Sequence, residues 1–192
     1  MLARPVPRLF GPRTLLTLPD PSAAPRVLAY FAKNRARLSP VSPPWADGFF
    51  TDEYWHRRLE IARDEWNHEL SLRLYLFKRG HESGPVIGAV SFTQFFRVAW
   101  QRCILGYSID GDYEGQGMLR EALENAIAYV FDDLAMHRIE ANYMPTNERS
   151  GNLLRRLGFT VEGYARDYLF LGDRWADHVL TSRTNPRPLR PL

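Results

Sequence analysis

The chain has little lysine, a single cysteine and no long hydrophobic run. Only Lys33 and Lys78 among its 25 basic residues are lysines, and the rest are arginines. The one cysteine, Cys103, cannot form a disulfide within the chain, which is consistent with a reducing compartment. No apolar stretch approaches the ~20 residues needed to cross a bilayer, and the first ten residues lack the apolar segment of a signal peptide. These absences favour a cytoplasmic protein without a membrane partner.

The basic net charge of +3 belongs to the two ends of the chain. Residues 1–13 and 183–192 together carry six arginines and no acid. Without these six, 19 basic residues face 22 acidic ones, so the body of the chain is net negative. We therefore expect the proline-containing ends to be mobile. The pattern argues against nucleic-acid binding as the main role, except through these basic ends.

Hydrophobic periodicity predicts one α+β domain over residues 14–183, between a basic N-terminal segment (1–13) and a Pro/Arg-rich tail (184–192). At 192 residues with 45% hydrophobic content, the chain can bury one full core. The predicted order is β-α-α-β-β-β-α-β-α-β-β with mixed strand pairing. The predicted strands cover residues 14–18, 70–77, 86–96, 100–109, 138–143, 161–171 and 175–183. The predicted helices begin near residues 20, 51, 118 and 147 and end near residues 34, 66, 134 and 157.

The segment from Asp112 to Met118 joins a buried strand to an amphipathic helix and contains Gly115-Gln116-Gly117. Glycines at a helix start leave backbone N–H groups unshielded, and the helix dipole favours an anion there. The segment is neither a dinucleotide fingerprint, because Arg120 replaces the third glycine, nor a Walker loop. Taken alone, the motif fits a flexible turn equally well.

A second signal follows about thirty residues downstream, where Asn147-Glu148-Arg149-Ser150 precedes Leu157-Gly158-Phe159. Ordinary helix chemistry explains both pieces, since Asn is a common N-cap and Gly a common C-terminal cap.

Together, these segments resemble the GCN5-related N-acetyltransferase (GNAT) superfamily, and within it the RimJ-like part of the RimJ/RimL branch, which acetylates the N-termini of ribosomal proteins. The resemblance runs from about residue 15 to residue 184 and is weakest before Val86. It implies a central mixed, mostly antiparallel sheet with a splayed parallel strand pair and flanking helices. The matching pieces cover residues 105–109, 115–123, 137–150, 157–164, 167–169 and 175–178.

The resemblance implies acetyl-CoA as cosubstrate, lying between the strands at residues 105–109 and 139–143, and no metal. Backbone N–H groups at the start of the long helix would hold the pyrophosphate, and the pantetheine arm would pair with a free strand edge. The implied cofactor contacts are Tyr107, Ser108, Ile109, Gly115, Gln116, Gly117, Met118, Leu119, Asn147 and Ser150.

The same resemblance places Ser150 as general acid, or hydrogen-bond donor, to the leaving thiolate; a role in helix capping alone is the alternative. Asp112 stands where relatives carry Gln or Arg, which adds negative charge beside the phosphate site. The carboxylate that RimL-type members offer as base aligns with Leu169, so that base is missing. Asp167, Glu140 and His178 remain candidates for base catalysis through water, with Asp167 slightly favoured.

The leading hypothesis is transfer of acetyl to a protein N-terminal α-amine, of the ribosomal-protein-alanine type, by direct attack on the thioester. An acyl-enzyme at Cys103 is not expected, because no neighbouring residue would activate the thiol. The alternatives are acetylation of a small-molecule amine and a non-catalytic CoA-binding or ribosome-assembly factor. The enzyme would act as a monomer or homodimer.

Overall fold

A mixed sheet runs through the computed structural model, which describes residues 4–187. Within them, eight strands lie in the order β1-β2-β3-β4-β5-β6-β8-β7. Strands β5 and β6 run parallel, and the other neighbouring pairs run antiparallel. The strands are β1 Arg8–Phe10, β2 Thr14–Thr17, β3 Leu72–Lys78, β4 Gly88–Phe96, β5 Arg102–Ile109, β6 Arg138–Glu140, β7 Thr160–Leu171 and β8 Arg174–Thr184.

Five α-helices flank this sheet in the described chain, and each longer one buries a single stripe against it. The helix α3 begins at a capping residue, Thr51, whose Oγ1 accepts a hydrogen bond from the backbone N–H of Tyr54 at 3.2 Å. Its buried residues recur at helical spacing: Trp55, Leu59, Ala62 and Trp66. Within residues 4–187, no helix is both long and apolar enough to span a membrane. The helices are α1 Ala24–Lys33, α2 Arg35–Leu38, α3 Asp52–Asn67, α4 Met118–Asp132 and α5 Glu148–Arg156.

The parallel strands β5 and β6 pair only over their first residues and then separate. Their register joins residues 102–104 to 138–140, whereas β5 continues to Ile109. The sequence prediction of a strand from 138 to 143 is therefore wrong in its length. Past Glu140 the backbone of residues 141–143 hydrogen-bonds to β8, through Ala141 and a bridge between Tyr143 and Val179. Because β5 diverges, this segment has a strand partner on one side only.

The two ends of the domain correct the prediction of mobile termini. Residues 8–10 form β1 and pair with β2, so part of the N-terminal segment belongs to the sheet. At the other end, Asn185 is buried and its side-chain amide donates to the carbonyls of Phe131 and Met136 at 3.1 and 3.2 Å. Charge composition missed these contacts, because strand pairing and amide burial do not depend on net charge. The remainder of each segment, residues 1–3 and 188–192, lies outside the described residues.

The fold class predicted from the sequence is confirmed: a mixed, mostly antiparallel sheet with one parallel pair in the described chain, flanked by helices. The structure adds β1 and the short helix α2, which the periodicity did not predict. Both are too short to give a periodic signal.

Candidate active site

The turn between β5 and α4 presents an open row of backbone donors. Gly115 and Gly117 adopt φ angles of 72° and 76°, in the left-handed region that favours glycine. In the described chain, no backbone carbonyl accepts from the N–H groups of residues 115–119. A Cβ added at Gly115 would meet no atom within 4 Å, so the turn is open on that side of Gly115. With the 15-residue helix α4 behind it, this glycine turn (residues 115–117) fits an anion.

Two side chains fix the conformation of the glycine turn. Arg13 donates from Nη1 to the carbonyl of Gln116 at 3.0 Å, and the Gln116 side chain donates to the carbonyl of Asp112 at 2.7 Å. Arg13 is held in turn by Glu121, which accepts from its backbone N–H and from Nε at 2.8 and 2.9 Å. Burial alone would raise the pKa of Glu121, but hydrogen bonds from Thr14 and Arg13 outweigh it and hold the pKa below its usual value.

The carboxylate of Asp112, close before the glycine turn, is paired with a lysine. Lys33 on α1 donates from Nζ to Asp110 at 2.9 Å and to Asp112 at 2.6 Å. The hydrogen bonds that Lys33 donates to Asp112 and Asp110 raise its pKa, so it stays charged at neutral pH. The negative charge that the sequence places beside the phosphate site is therefore matched by a cation that the sequence places 79 residues earlier.

A third acid in the same segment, Glu114, binds two arginines from different helices. Arg37 of α2 and Arg149 of α5 each donate to one of its carboxylate oxygens. Arg37 also donates to the carbonyl of Ile109 at the end of β5. The ion pairs thus tie the segment before the glycine turn to the helix that follows β6.

The hydroxyls of Tyr107 and Ser150 meet across the gap between the splayed strands. Tyr107 Oη lies 2.7 Å from Ser150 Oγ, which links β5 to the first turn of α5. Burial raises the pKa of Tyr107 to about 12, so its hydroxyl keeps its proton at neutral pH.

Asn147, not Ser150, is the capping side chain of α5. Asn147 Oδ1 accepts a hydrogen bond from the backbone N–H of Ser150 at 3.2 Å. The hydroxyl of Ser150 takes no part in this cap, so the alternative of a capping role for that side chain is not supported. Nearby, a Cβ added at Gly151 would lie 2.7 Å from the ring of Tyr143, so only glycine permits this close packing.

The strand edge at Tyr107-Ser108-Ile109 has no β6 partner, as the resemblance implied. The Ser108 Oγ already accepts a hydrogen bond from the hydroxyl of Tyr30 on α1, at 2.8 Å. A ligand lying in the gap would thus meet the backbone of this edge together with the Tyr107 hydroxyl.

Two of the three candidate bases have structural partners. Glu140 forms ion pairs with Arg102 and Arg138, which lie on the same pair of parallel strands. His178 is buried, with Nδ1 2.9 Å from the carbonyl of Ala176. These contacts account for both side chains without a catalytic role.

The third candidate, Asp167, lies on an irregular, exposed part of β7. Its φ angle is 47°, and its backbone N–H donates to Asp177 Oδ1 at 2.8 Å. Within residues 4–187, no hydrogen bond joins its side chain to Ser150 or Tyr107. The structure therefore does not bring Asp167 together with the other site residues, and its role stays a prediction.

Cys103 lies in the core on β5 and is fully buried. Burial raises the pKa of its thiol to about 12, so it is not a nucleophile at neutral pH.

Sequence reasoning missed the side chains that surround the glycine turn. Except for Glu121, which lies on α4 itself, they arrive from the β1–β2 connection and from α1, α2 and α5, far from the motif in the chain. No local pattern marks an arginine as the partner of a distant carbonyl or carboxylate. These residues are Arg13, Lys33, Arg37, Glu121 and Arg149.

The site combines the free edge of a splayed parallel strand pair with backbone N–H groups at the end of one strand. This arrangement is typical of proteins that bind an extended ligand along the strand edge, with its anionic group at the helix N-terminus. Comparison with known proteins identifies the class. The acetyltransferase (GNAT) domain profile matches residues 13–160. The chain therefore belongs to the GNAT family, whose members use acetyl-CoA, and it is an N-acetyltransferase.

Individual relatives extend the match over nearly the whole chain. A ribosomal protein uS5-alanine N-acetyltransferase of Escherichia coli is 38% identical over 95% of this chain and 93% of its own. The crystal structure of a ribosomal-protein-S5-alanine acetyltransferase from Vibrio fischeri superposes with a TM-score of 0.89, at 33% identity over 95% of this chain and 100% of that one. Mycobacterium smegmatis RimJ in complex with CoA-disulfide shares the fold, with a TM-score of 0.84 at 23% identity over 95% and 88% of the two chains.

Proposed function

We propose that this enzyme transfers the acetyl group of acetyl-CoA to the N-terminal α-amine of a protein, and that a ribosomal protein with N-terminal alanine is its acceptor. The splayed strand pair, with open donors at one end and the Tyr107–Ser150 hydroxyl pair beside it, carries the transferase part of this proposal. The likeness to uS5-alanine acetyltransferases over 95% of the chain supports the acceptor. A ribosomal acceptor and acetyl-CoA as the donor support a cytoplasmic location for this reaction.

The donor site comprises the glycine turn and the free edge of β5. Backbone N–H groups of Gly115, Gln116, Gly117, Met118 and Leu119 hold the pyrophosphate, and Asn147 with the Tyr107-Ser108-Ile109 edge holds the pantetheine arm. Backbone donors suffice here because the nearby carboxylates already have cationic partners.

The reaction joins the amine nitrogen to the thioester carbonyl carbon, breaks the C–S bond and releases the amine proton to water. Asp167 is the proposed base through water. A thiol has an ordinary pKa near 8.5, whereas the pKa of Tyr107 is about 12, so a full proton transfer from the hydroxyls to the thiolate is unfavourable. Ser150 therefore donates a hydrogen bond to the leaving sulfur, and Tyr107 strengthens that bond by donating to Ser150 Oγ.

An α-amine suits a site whose proposed base, Asp167, acts only through water. Its ordinary pKa of about 7.7–8.0 leaves roughly a tenth of it neutral at pH 7, whereas lysine, at about 10.4, is almost wholly charged. Position 169 carries a leucine and no described hydrogen bond brings Asp167 to the hydroxyl pair, so the site favours the more acidic ammonium.

A panel of acceptors tests this proposal. The purified enzyme is assayed with acetyl-CoA and peptides that begin with alanine, with the same peptides blocked at the N-terminus but containing lysine, and with small amines. We expect turnover of the free α-amine only, with a rate that rises with pH through about 8 as the amine loses its proton. Turnover of small amines alone would refute the proposal. Mass spectrometry of cellular N-termini, with and without the protein, then identifies the acceptor.

A further inference from the structure

Arg13 lies in the connection between β1 and β2, yet its side chain contacts the glycine turn 103 residues later. The guanidinium donates from Nη1 to the Gln116 carbonyl at 3.0 Å. A Cβ added at Gly117 would lie 3.5 Å from Nη2. Arg13 therefore packs directly against the turn that offers its N–H groups to an anion.

The contact with the Gln116 carbonyl determines where a neighbouring donor points. The carbonyl of Gln116 and the N–H of Gly117 share one planar trans peptide group, so they point in opposite directions. When Arg13 binds the carbonyl from one side, the N–H of Gly117 faces the other side, where no protein carbonyl accepts from it in the described chain. Without that hydrogen bond, this peptide, which has a glycine on its C-terminal side, can rotate and turn its donor away.

Arg13 itself is fixed by contacts that leave little freedom. Glu121 on α4 accepts from its backbone N–H and from Nε, and Thr14 Oγ1 donates to the same carboxylate at 2.7 Å. Gly11 allows this close approach, because a Cβ there would lie 2.4 Å from Glu121 Oε1. On the other side, the backbone N–H of Arg79 donates to the Arg13 carbonyl at 2.9 Å.

We propose that Arg13 is a positioning residue for the phosphates of acetyl-CoA: it orients the Gln116–Gly117 peptide so that the Gly117 N–H meets the pyrophosphate. The inference rests on the proposed function of the glycine turn. It gives the connection between β1 and β2, which belongs to the segment 1–13 that charge composition predicted to be mobile, a part in donor binding.

The test compares Arg13→Gln with the wild type on two acetyl donors, acetyl-CoA and S-acetyl-pantetheine, which lacks the pyrophosphate. Calorimetry measures CoA affinity directly. We expect a roughly tenfold loss of CoA affinity and a matching rise in KM for acetyl-CoA, as for a lost hydrogen bond to a charged group. The kcat/KM for S-acetyl-pantetheine should stay within about twofold. Arg13→Lys should rescue little, because an ammonium cannot reproduce the fork that joins Glu121 to Gln116.

Two matched controls isolate this role. Arg79→Gln loosens the same β1–β2 connection, since Arg79 Nη1 donates to the Gly11 carbonyl at 3.0 Å without touching the glycine turn. Arg120→Gln removes an exposed charge on the first turn of α4 that pairs with Glu124. Both should keep the wild-type ratio between the two donors.

If Arg13→Gln lowers kcat/KM equally for both acetyl donors, Arg13 has a structural role only, and the inference is overturned. An unchanged CoA affinity would overturn it as well. A wild-type enzyme that fails to bind CoA would instead overturn the proposed function, and this inference with it. The wild-type calorimetry therefore distinguishes the two failures.

Discussion

The glycine turn and the β7–β8 hairpin are built in opposite ways. Around the turn, each of four acids has a partner from another part of the chain, and the backbone is held by side-chain hydrogen bonds. The hairpin instead has a register shift between residues 165 and 169. It also exposes several large apolar side chains: Tyr164, Leu169, Phe170 and Trp175. A fixed anionic ligand is best met by preorganised donors, whereas apolar surface can accept varied partners. The difference suggests that the turn serves the donor and the hairpin the acceptor.

The largest expected effect that tests this comparison comes from Gly117→Val. A non-glycine residue at φ 76° costs about 1–3 kcal/mol. In the unliganded variant we expect the turn to relax from its left-handed conformation, and CoA binding must then restore that conformation. Calorimetry should therefore show CoA affinity ~5- to 150-fold weaker. Gly48→Val is the control, since Gly48 has a φ of 75° and a Cβ there would meet only Thr51 Oγ1, at 3.8 Å, in the loop before α3. The control should lower the melting temperature while CoA affinity stays unchanged. Equal losses of CoA affinity in the Gly117 variant and the control would show that the glycine turn has no particular role in CoA binding.

Substitutions at the hydroxyl pair come next in size and should separate chemistry from binding. Ser150→Ala should lower kcat roughly tenfold, as for a lost hydrogen bond to a charged atom, and Tyr107→Phe about threefold. CoA affinity should change by less than about twofold in both, because the cap of α5 belongs to Asn147. Steady-state kinetics and calorimetry check this. A lower melting temperature with unchanged kcat would contradict the proposed contact with the leaving sulfur.

A smaller effect is expected at the hairpin. Trp175, 59% exposed, should contribute to acceptor binding, so Trp175→Ala should raise KM for a protein acceptor ~3- to 10-fold. CoA affinity should not change. Phe10→Ala is the matched control, because Phe10 is 49% exposed on β1 at the opposite edge of the sheet. Equal effects of the two substitutions on KM would argue that the hairpin has no particular role.

The smallest effect concerns stability in acid. The pKa of Glu121 is lowered in the folded protein, so the ionised carboxylate stabilises the fold above its ordinary pKa of about 4.3. This stabilisation is lost as the pH falls through the lower folded pKa. Denaturant unfolding from pH 6 to pH 3 should show a shallower loss of stability for Glu121→Gln than for the wild type. A parallel loss in both would show that Glu121 adds nothing to acid sensitivity.

Most of the fold could be predicted because its longer elements have clear periodic patterns. The apolar stripe of α4 and the alternation in the sheet strands gave both element types and their order. The prediction was wrong where the outcome depended on partners: β1 has three residues, and β6 stops where β5 diverges. A three-residue strand has no measurable period, and a strand ends where its neighbour leaves rather than where its sequence changes.

The sequence by itself determined the glycine turn, the helix behind it and the cap at Asn147, because each depends on residues close together in the chain. Only the tertiary structure decided which charged side chains form ion pairs and which carbonyl accepts the hydrogen bond from Arg13. These contacts join residues 79 and 103 positions apart. Hydrogen bonds and ion pairs act over a few ångströms, so their partners are set by the packing of distant segments and leave no local mark in the sequence.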